Sequence, residues 1–149
     1  ADILMGINTD LRYKNWDLAI ISRVSLGNYI YNDVKASKGI LDLAVPSTND
    51  YVTNLHTDYL TSGFTTISDV TALSDHFIED GSFFKIDNIS FGYTAKQISK
   101  GVDARFYGSV QNVATFTNFS GIDPEIPSGI DNNFYPRPRS FMFGVNFNF

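Results

Sequence analysis

No cysteine occurs in the 149 residues, which excludes a disulfide scaffold and thiolate metal sites while leaving the compartment open. No run of 18 apolar residues occurs either, so a transmembrane helix is excluded. A β-barrel escapes that exclusion, because each of its strands needs only about ten residues of alternating hydrophobicity. Charge is sparse at 18% of residues, with a net charge of −5, and the basic footprint that nucleic acid requires is missing. There is no Gly-rich phosphate loop, nucleophile elbow or paired-carboxylate arrangement, and no enzyme is expected. His56 and His76 stand twenty residues apart with no companion Cys or His, which is not metal-ligand spacing. Asp123-Pro124-Glu125 lacks the spacing of a calcium loop and reads as a solvated turn. No cofactor is expected. The segment ADILMGIN opens directly in an alternating pattern, without a basic or apolar leader, and reads as the start of a mature piece of a longer chain.

What the sequence has in abundance is aromatic residues, 15% of the total, with 13 Phe and 8 Tyr. They fall at every second position in several runs. In SFMFGVNFNF the odd residues Phe141, Phe143, Val145, Phe147 and Phe149 are apolar, and the even ones are Ser, Met, Gly and Asn. A period of two places such residues on one face of a β-strand. Ile3 to Lys14 and Trp16 to Gly27 alternate in the same way, with Lys14-Asn15 between them as a tight hairpin turn. A third strand is expected over Ser82 to Thr94, with a slip of parity near Asp87 and Asn88 that signals a β-bulge or a change of environment. Ala95 to Gly101 reads as a short connection. The fourth strand is expected from Val102 to about Thr115.

Between these runs the pattern fails twice. From about Asn32 to Gly81 eight acidic residues face only Lys35 and Lys38, and any helices near Val34 to Val45 and Asn49 to Ser62 are weakly patterned. Phe116 to Arg139 is a second long loop, rich in Gly, Pro and Asn. Pro136 and Pro138 keep its last residues extended ahead of the final strand. Connections in compact domains usually run about four to six residues. Tight turn, long loop, short turn, long loop is the alternation of outer-membrane barrels, whose periplasmic turns are short and extracellular loops long. Tyr13, Trp16, Tyr93 and Phe149 then fall at the short-turn end, where an aromatic girdle is expected.

Three blocks in this order, GSFFKIDNISFGYT (81–94), ARFYGSVQNVATFTNFSGIDPE (104–125) and FYPRPRSFMFGVNFNF (134–149), together with DLAIISRVSLGNYIYN (17–32), resemble the C-terminal barrel region of SusC/RagA-type TonB-dependent outer-membrane transporters of Bacteroidota. The resemblance covers essentially the whole chain. It implies an all-β fold: about five antiparallel, up-and-down strands of a barrel of about 22, with no plug domain among residues 1–149 and long extracellular loops at about 32–81 and 116–139. It further implies an importer of glycans or peptides. Its implied partners are the rest of the barrel and its plug, a SusD-like surface lipoprotein, the TonB complex and outer-membrane lipid. Phe149 at the end of an aromatic strand resembles the signal read by the barrel-insertion machinery, and that last strand would pair with the first to abolish the edge.

Residue expectations follow. Phe141, Phe143, Val145, Phe147 and Phe149 face lipid and carry the assembly signal; Asp103, Arg105, Tyr107 and Gln111 face the lumen. Tyr51, Tyr59, Phe64 and Phe77 either meet cargo or a partner, or form the acidic loop's own small core. Two rivals stand beside the importer: a non-transporting outer-membrane barrel used as scaffold, and a soluble β-sandwich binding module.

Overall fold

The computed structural model describes residues 1–40, 54–64, 74–132 and 135–149. In chain order the elements are β1 (Ile3–Tyr13), β2 (Trp16–Leu26), β3 (Tyr29–Asn32), α1 (Asp33–Lys38), α2 (Tyr59–Ser62), a 3-10 turn (Asp75–Phe77), β4 (Ile78–Asp80), β5 (Phe83–Ser99), β6 (Val102–Thr117), β7 (Ile130–Asp131) and β8 (Ser140–Asn148). They divide into two compact units.

The first unit is a five-stranded antiparallel sheet in the order β1-β2-β5-β6-β8. Its register aligns the apolar parity of every strand. Phe141, Phe143, Val145 and Phe147 lie opposite Val110, Gly108, Phe106 and Ala104, which lie opposite Ile89, Phe91, Tyr93 and Ala95. Ile89, Phe91 and Tyr93 meet Ile20, Leu18 and Trp16, and β1 continues the face with Thr9, Leu11 and Tyr13. Because side chains alternate strictly along a strand, one register choice fixes both faces of the whole sheet. The apolar face is not covered: Phe143 is 85% and Phe141 62% exposed.

The Lys14-Asn15 and Lys100-Gly101 turns lie at one end of this sheet, with Lys14 at φ 54° and Gly101 at φ 77°. At the other end Ser25 pairs with Phe83, and Phe83 with Thr117, so both long excursions leave from that end. Two boundaries differ from the sequence expectation. β5 runs on to Ser99, because Gln97 takes a left-handed φ of 53° and its N–H donates to the Asp103 carboxylate at 2.8 Å. This local irregularity absorbs the polar residues that read as a connection. β6 includes Phe116, whose ring stacks on Phe84 at 5.9 Å. The parity slip at Asp87 is a bulge: Ile86 and Asn88 find partners on both neighbouring strands while Asp87 is skipped. On β6 it is answered by Asn112 at φ 53°.

The second unit comprises residues 28–81 and 118–136. Its described part is a folded body rather than open loop. β3 pairs antiparallel with β4 and parallel with β7, three short strands not assigned from the sequence because two to four residues are too few to show a period. Ile30, Ile40, Phe77 and Phe119 are its buried apolar residues. The excursion also begins earlier than expected, at Asn28, where Nδ2 donates to the Gly81 carbonyl at 2.7 Å and ties its two ends together.

Candidate functional site: the polar face and the loop unit

The polar face of the sheet carries two ion pairs that bridge strands. Arg105 on β6 reaches across β5 to Asp17 on β2, with Nη2 at 2.6 Å and Nε at 3.3 Å from the two carboxylate oxygens. That span is open because Gly92 lies beneath: a Cβ there would collide with both Asp17 and Arg105. The Arg105 guanidinium also sits 5.6 Å from the centre of the Tyr107 ring, within cation–π range. Tyr107 in turn lies over Gly144 of β8, where any Cβ would overlap its ring and hydroxyl. Four strands are thus tied by a diagonal of an ion pair and a ring laid flat over two glycines.

The second pair uses the bulge. Skipping Asp87 in the ladder turns its carboxylate toward Arg23, which binds it two-pronged at 2.6 and 2.8 Å. A neighbouring cavity of about 370 Å³ is lined by Lys85, Asp87, Asn88, Gln111, Asn112 and Arg137. Asn112 Nδ2 donates to the Arg137 carbonyl at 2.7 Å and Arg139 Nε to the Asn112 carbonyl at 3.3 Å. The extended Pro-Arg-Pro-Arg run is therefore fastened to the bulge before β8 begins.

In the loop unit, Asn32 is the hinge of a polar network, 1% exposed. Its Oδ1 caps α1 by accepting from the Lys35 N–H at 2.8 Å, as orphan helix donors require. Its Nδ2 donates to Glu79 and to Ser120. Glu79 accepts further bonds from the Ser120 N–H and hydroxyl, both at 2.8 Å. Lys35 Nζ stands 3.4 Å from Asp58 and 3.6 Å from Glu79, and His76 Nε2 is 3.0 Å from the other Asp58 oxygen. Burial pushes the Asp58 carboxyl up, but the His76 hydrogen bond and the Lys35 charge outweigh it and hold it below its ordinary value. Glu79 behaves likewise: burial raises it, while the Ser120 and Asn32 hydrogen bonds and Lys35 bring it below the usual range.

All the expected site residues but Tyr51 fall among the described residues. Phe141, Phe143, Val145 and Phe147 share the exposed apolar face and Phe149 follows at its turn end, 97% exposed. Arg105, Tyr107 and Gln111 share the polar face, Gln111 opposite Asn88. Asp103 lies on the same parity of β6 as Arg105, and one of its oxygens accepts from the Gln97 N–H next to the turn. Phe77 is 1% exposed, packed edge-on against Tyr31 and His76. Of the two readings open to it, the ring lies in the loop unit's own small core. Phe64 is half-buried against His76 and Phe77, Tyr59 is half-buried, and Tyr51 lies outside the described residues. The sequence reading missed Asp17, Arg23 and Asp87, although a charge on the polar parity of an aromatic-faced strand was the available signal.

Set beside known proteins, the chain is 36% identical over its whole length to the TonB-dependent receptor SusC of Bacteroides thetaiotaomicron. The chain belongs to the SusC-type TonB-dependent receptors. Over 99% of the chain it is also 33% identical to the TonB-dependent receptor P3 of Formosa agariphila. Among solved structures, the RagAB peptide importer in its open-open state matches 98% of the chain at a TM-score of 0.73 and 18% identity. The closed-closed state matches at 0.72 and 16%. These structural likenesses concern the fold, an antiparallel segment of a transmembrane β-barrel. No family model matches. The chain spans 15% of the SusC receptor and 16% of P3.

Proposed function

We propose that these residues form part of the C-terminal wall of an outer-membrane barrel in a Bacteroidota cell, within an active transporter. That transporter imports glycans or peptides together with a SusD-like lipoprotein, on energy relayed by TonB. The observation that carries the reading is the two-faced sheet: an uncovered aromatic face, a hydrogen-bonded polar face, tight turns at one end and long excursions at the other. An uncovered apolar face of this extent is tolerated in lipid and not in water. On this reading Phe141, Phe143, Val145, Phe147 and Phe149 face lipid and mark the chain for insertion. Asp103, Arg105, Tyr107 and Gln111 line the lumen, and the excursions 28–81 and 118–136 stand at the extracellular mouth. Five strands with free edges cannot persist in a bilayer, so transport belongs to the whole receptor, and this wall contributes shape, polarity and rim.

The test is purification from native outer membranes in detergent. A chain much longer than 149 residues, copurifying with a surface lipoprotein and conferring TonB-dependent uptake of an oligosaccharide or peptide, supports the proposal. A detergent-free species of 16.6 kDa overturns it in favour of a soluble sandwich, and a barrel whose removal leaves every uptake rate unchanged overturns it in favour of a scaffold.

A further inference from the structure

At the turn end of the polar face lies a cavity of about 490 Å³ whose lining includes Arg12, Lys14, Asp17, Thr94, Lys96 and Arg105. Four cations meet one carboxylate there. That carboxylate is committed, since both Asp17 oxygens bind Arg105. Arg12 stands directly across the ladder from Asp17 but is not among its ionic partners, and neither Arg12 nor Lys96 has an ion pair among the described residues. Among the described residues Lys14 engages only the adjacent Tyr13 ring, at 5.3 Å. The Asp17–Arg105 pair neutralises itself, which leaves Arg12, Lys14 and Lys96 as an uncompensated cluster around an open volume. Like charges held together in a partly enclosed site repel unless an anion joins them.

We propose that this basin is an anion site that takes a carboxylate or phosphate group, with Arg12 presenting its planar fork and Lys14 and Lys96 acting as point charges. The choice of source rests on the barrel reading above: within a closed wall, an acidic side chain from elsewhere in the same receptor is the expected occupant, and a free anionic solute is the other source. Thr94, next to Lys96 and opposite Arg105, adds a hydroxyl donor.

The experiment uses the full-length receptor in native outer membranes, treated with a water-soluble carbodiimide, which joins amines to carboxylates only at ion-pair distance. Lys100, in the exposed turn and outside the cavity lining, is the internal control. Amide links from Lys14 or Lys96 to an Asp or Glu beyond these 149 residues, absent in Lys96→Gln for that site, establish the intramolecular source. If no link forms, acylation of Lys96 slowed about tenfold relative to Lys100 by inorganic phosphate at ten times its dissociation constant establishes the free-anion source. Links confined to acids within the 149 residues, or equal acylation of Lys96 and Lys100 with and without phosphate, overturn the site. Heat-modifiable migration of the same sample reports separately on the barrel, so a failed anion site is not mistaken for a failed fold assignment.

Discussion

Two glycines do more for the polar face than any charged residue on it. Gly144 lets the Tyr107 ring lie against the β8 backbone, and Gly92 does the same for the Asp17–Arg105 pair. Gly144→Ala would drive a methyl into the ring; the expected loss is about 1–3 kcal/mol, the usual penalty of overpacking, read as a lower urea midpoint in detergent. Tyr107→Ala in the same background should recover much of it, since the collision is with that ring; no recovery would place the strain in the backbone. The ion pair itself is worth less. Its side chains remain 41% and 30% exposed, and a double-mutant cycle of Arg105→Ala and Asp17→Ala should give a coupling of about 0.2–1 kcal/mol.

At the scale of elements, β8 and the loop unit behave oppositely. β8 is held by its ladder to β6 and by the medium its aromatic face meets. Phe143→Arg on that face should cost about 2–4 kcal/mol if the residue lies at mid-bilayer, seen as loss of the heat-modifiable folded band, whereas Asn146→Asp on the opposite parity, across from Arg105, should leave the band intact. The loop unit is held by hydrogen bonds to Asn32, Asp58 and Glu79. Both carboxyls are lowered from ordinary values of 3.8 and 4.5, so the folded unit prefers them ionised. Their contribution is complete above those ordinary values and is lost as pH falls through the lowered folded ones. Hydrogen exchange at residues 74–81, corrected for intrinsic rate, should rise as the pH falls below about 4. Glu79→Gln should weaken protection at neutral pH and flatten that acid transition.

At the scale of the whole molecule, the strands and their faces were readable because a period of two is written into consecutive residues. Phe141 to Phe149 and Trp16 to Leu26 declare themselves without knowledge of neighbours, whereas the parity slip at Asp87 was legible but only the ladders on both sides make it a bulge. β3, β4 and β7 were not readable, because strands of two to four residues carry no period and form only when residues 28–32, 78–80 and 130–131 come together. Phe77 shows the same limit: an aromatic in an acidic loop has the same sequence signature whether it is offered to a partner or, as here, sealed beneath Tyr31 and His76.

The sequence by itself determined the strand parity and the hairpin at Lys14-Asn15, since each depends on side-chain chemistry at fixed local spacing. The tertiary structure alone decided which charges meet. Asp17 and Arg105 are separated by most of the chain and by one intervening strand, and only the β2-β5-β6 order and register, with Gly92 between them, bring their charges to 2.6 Å. It also left Arg12, Lys14 and Lys96 around one cavity without an acid to answer them, because strand register, not sequence distance, sets which side chains share a wall.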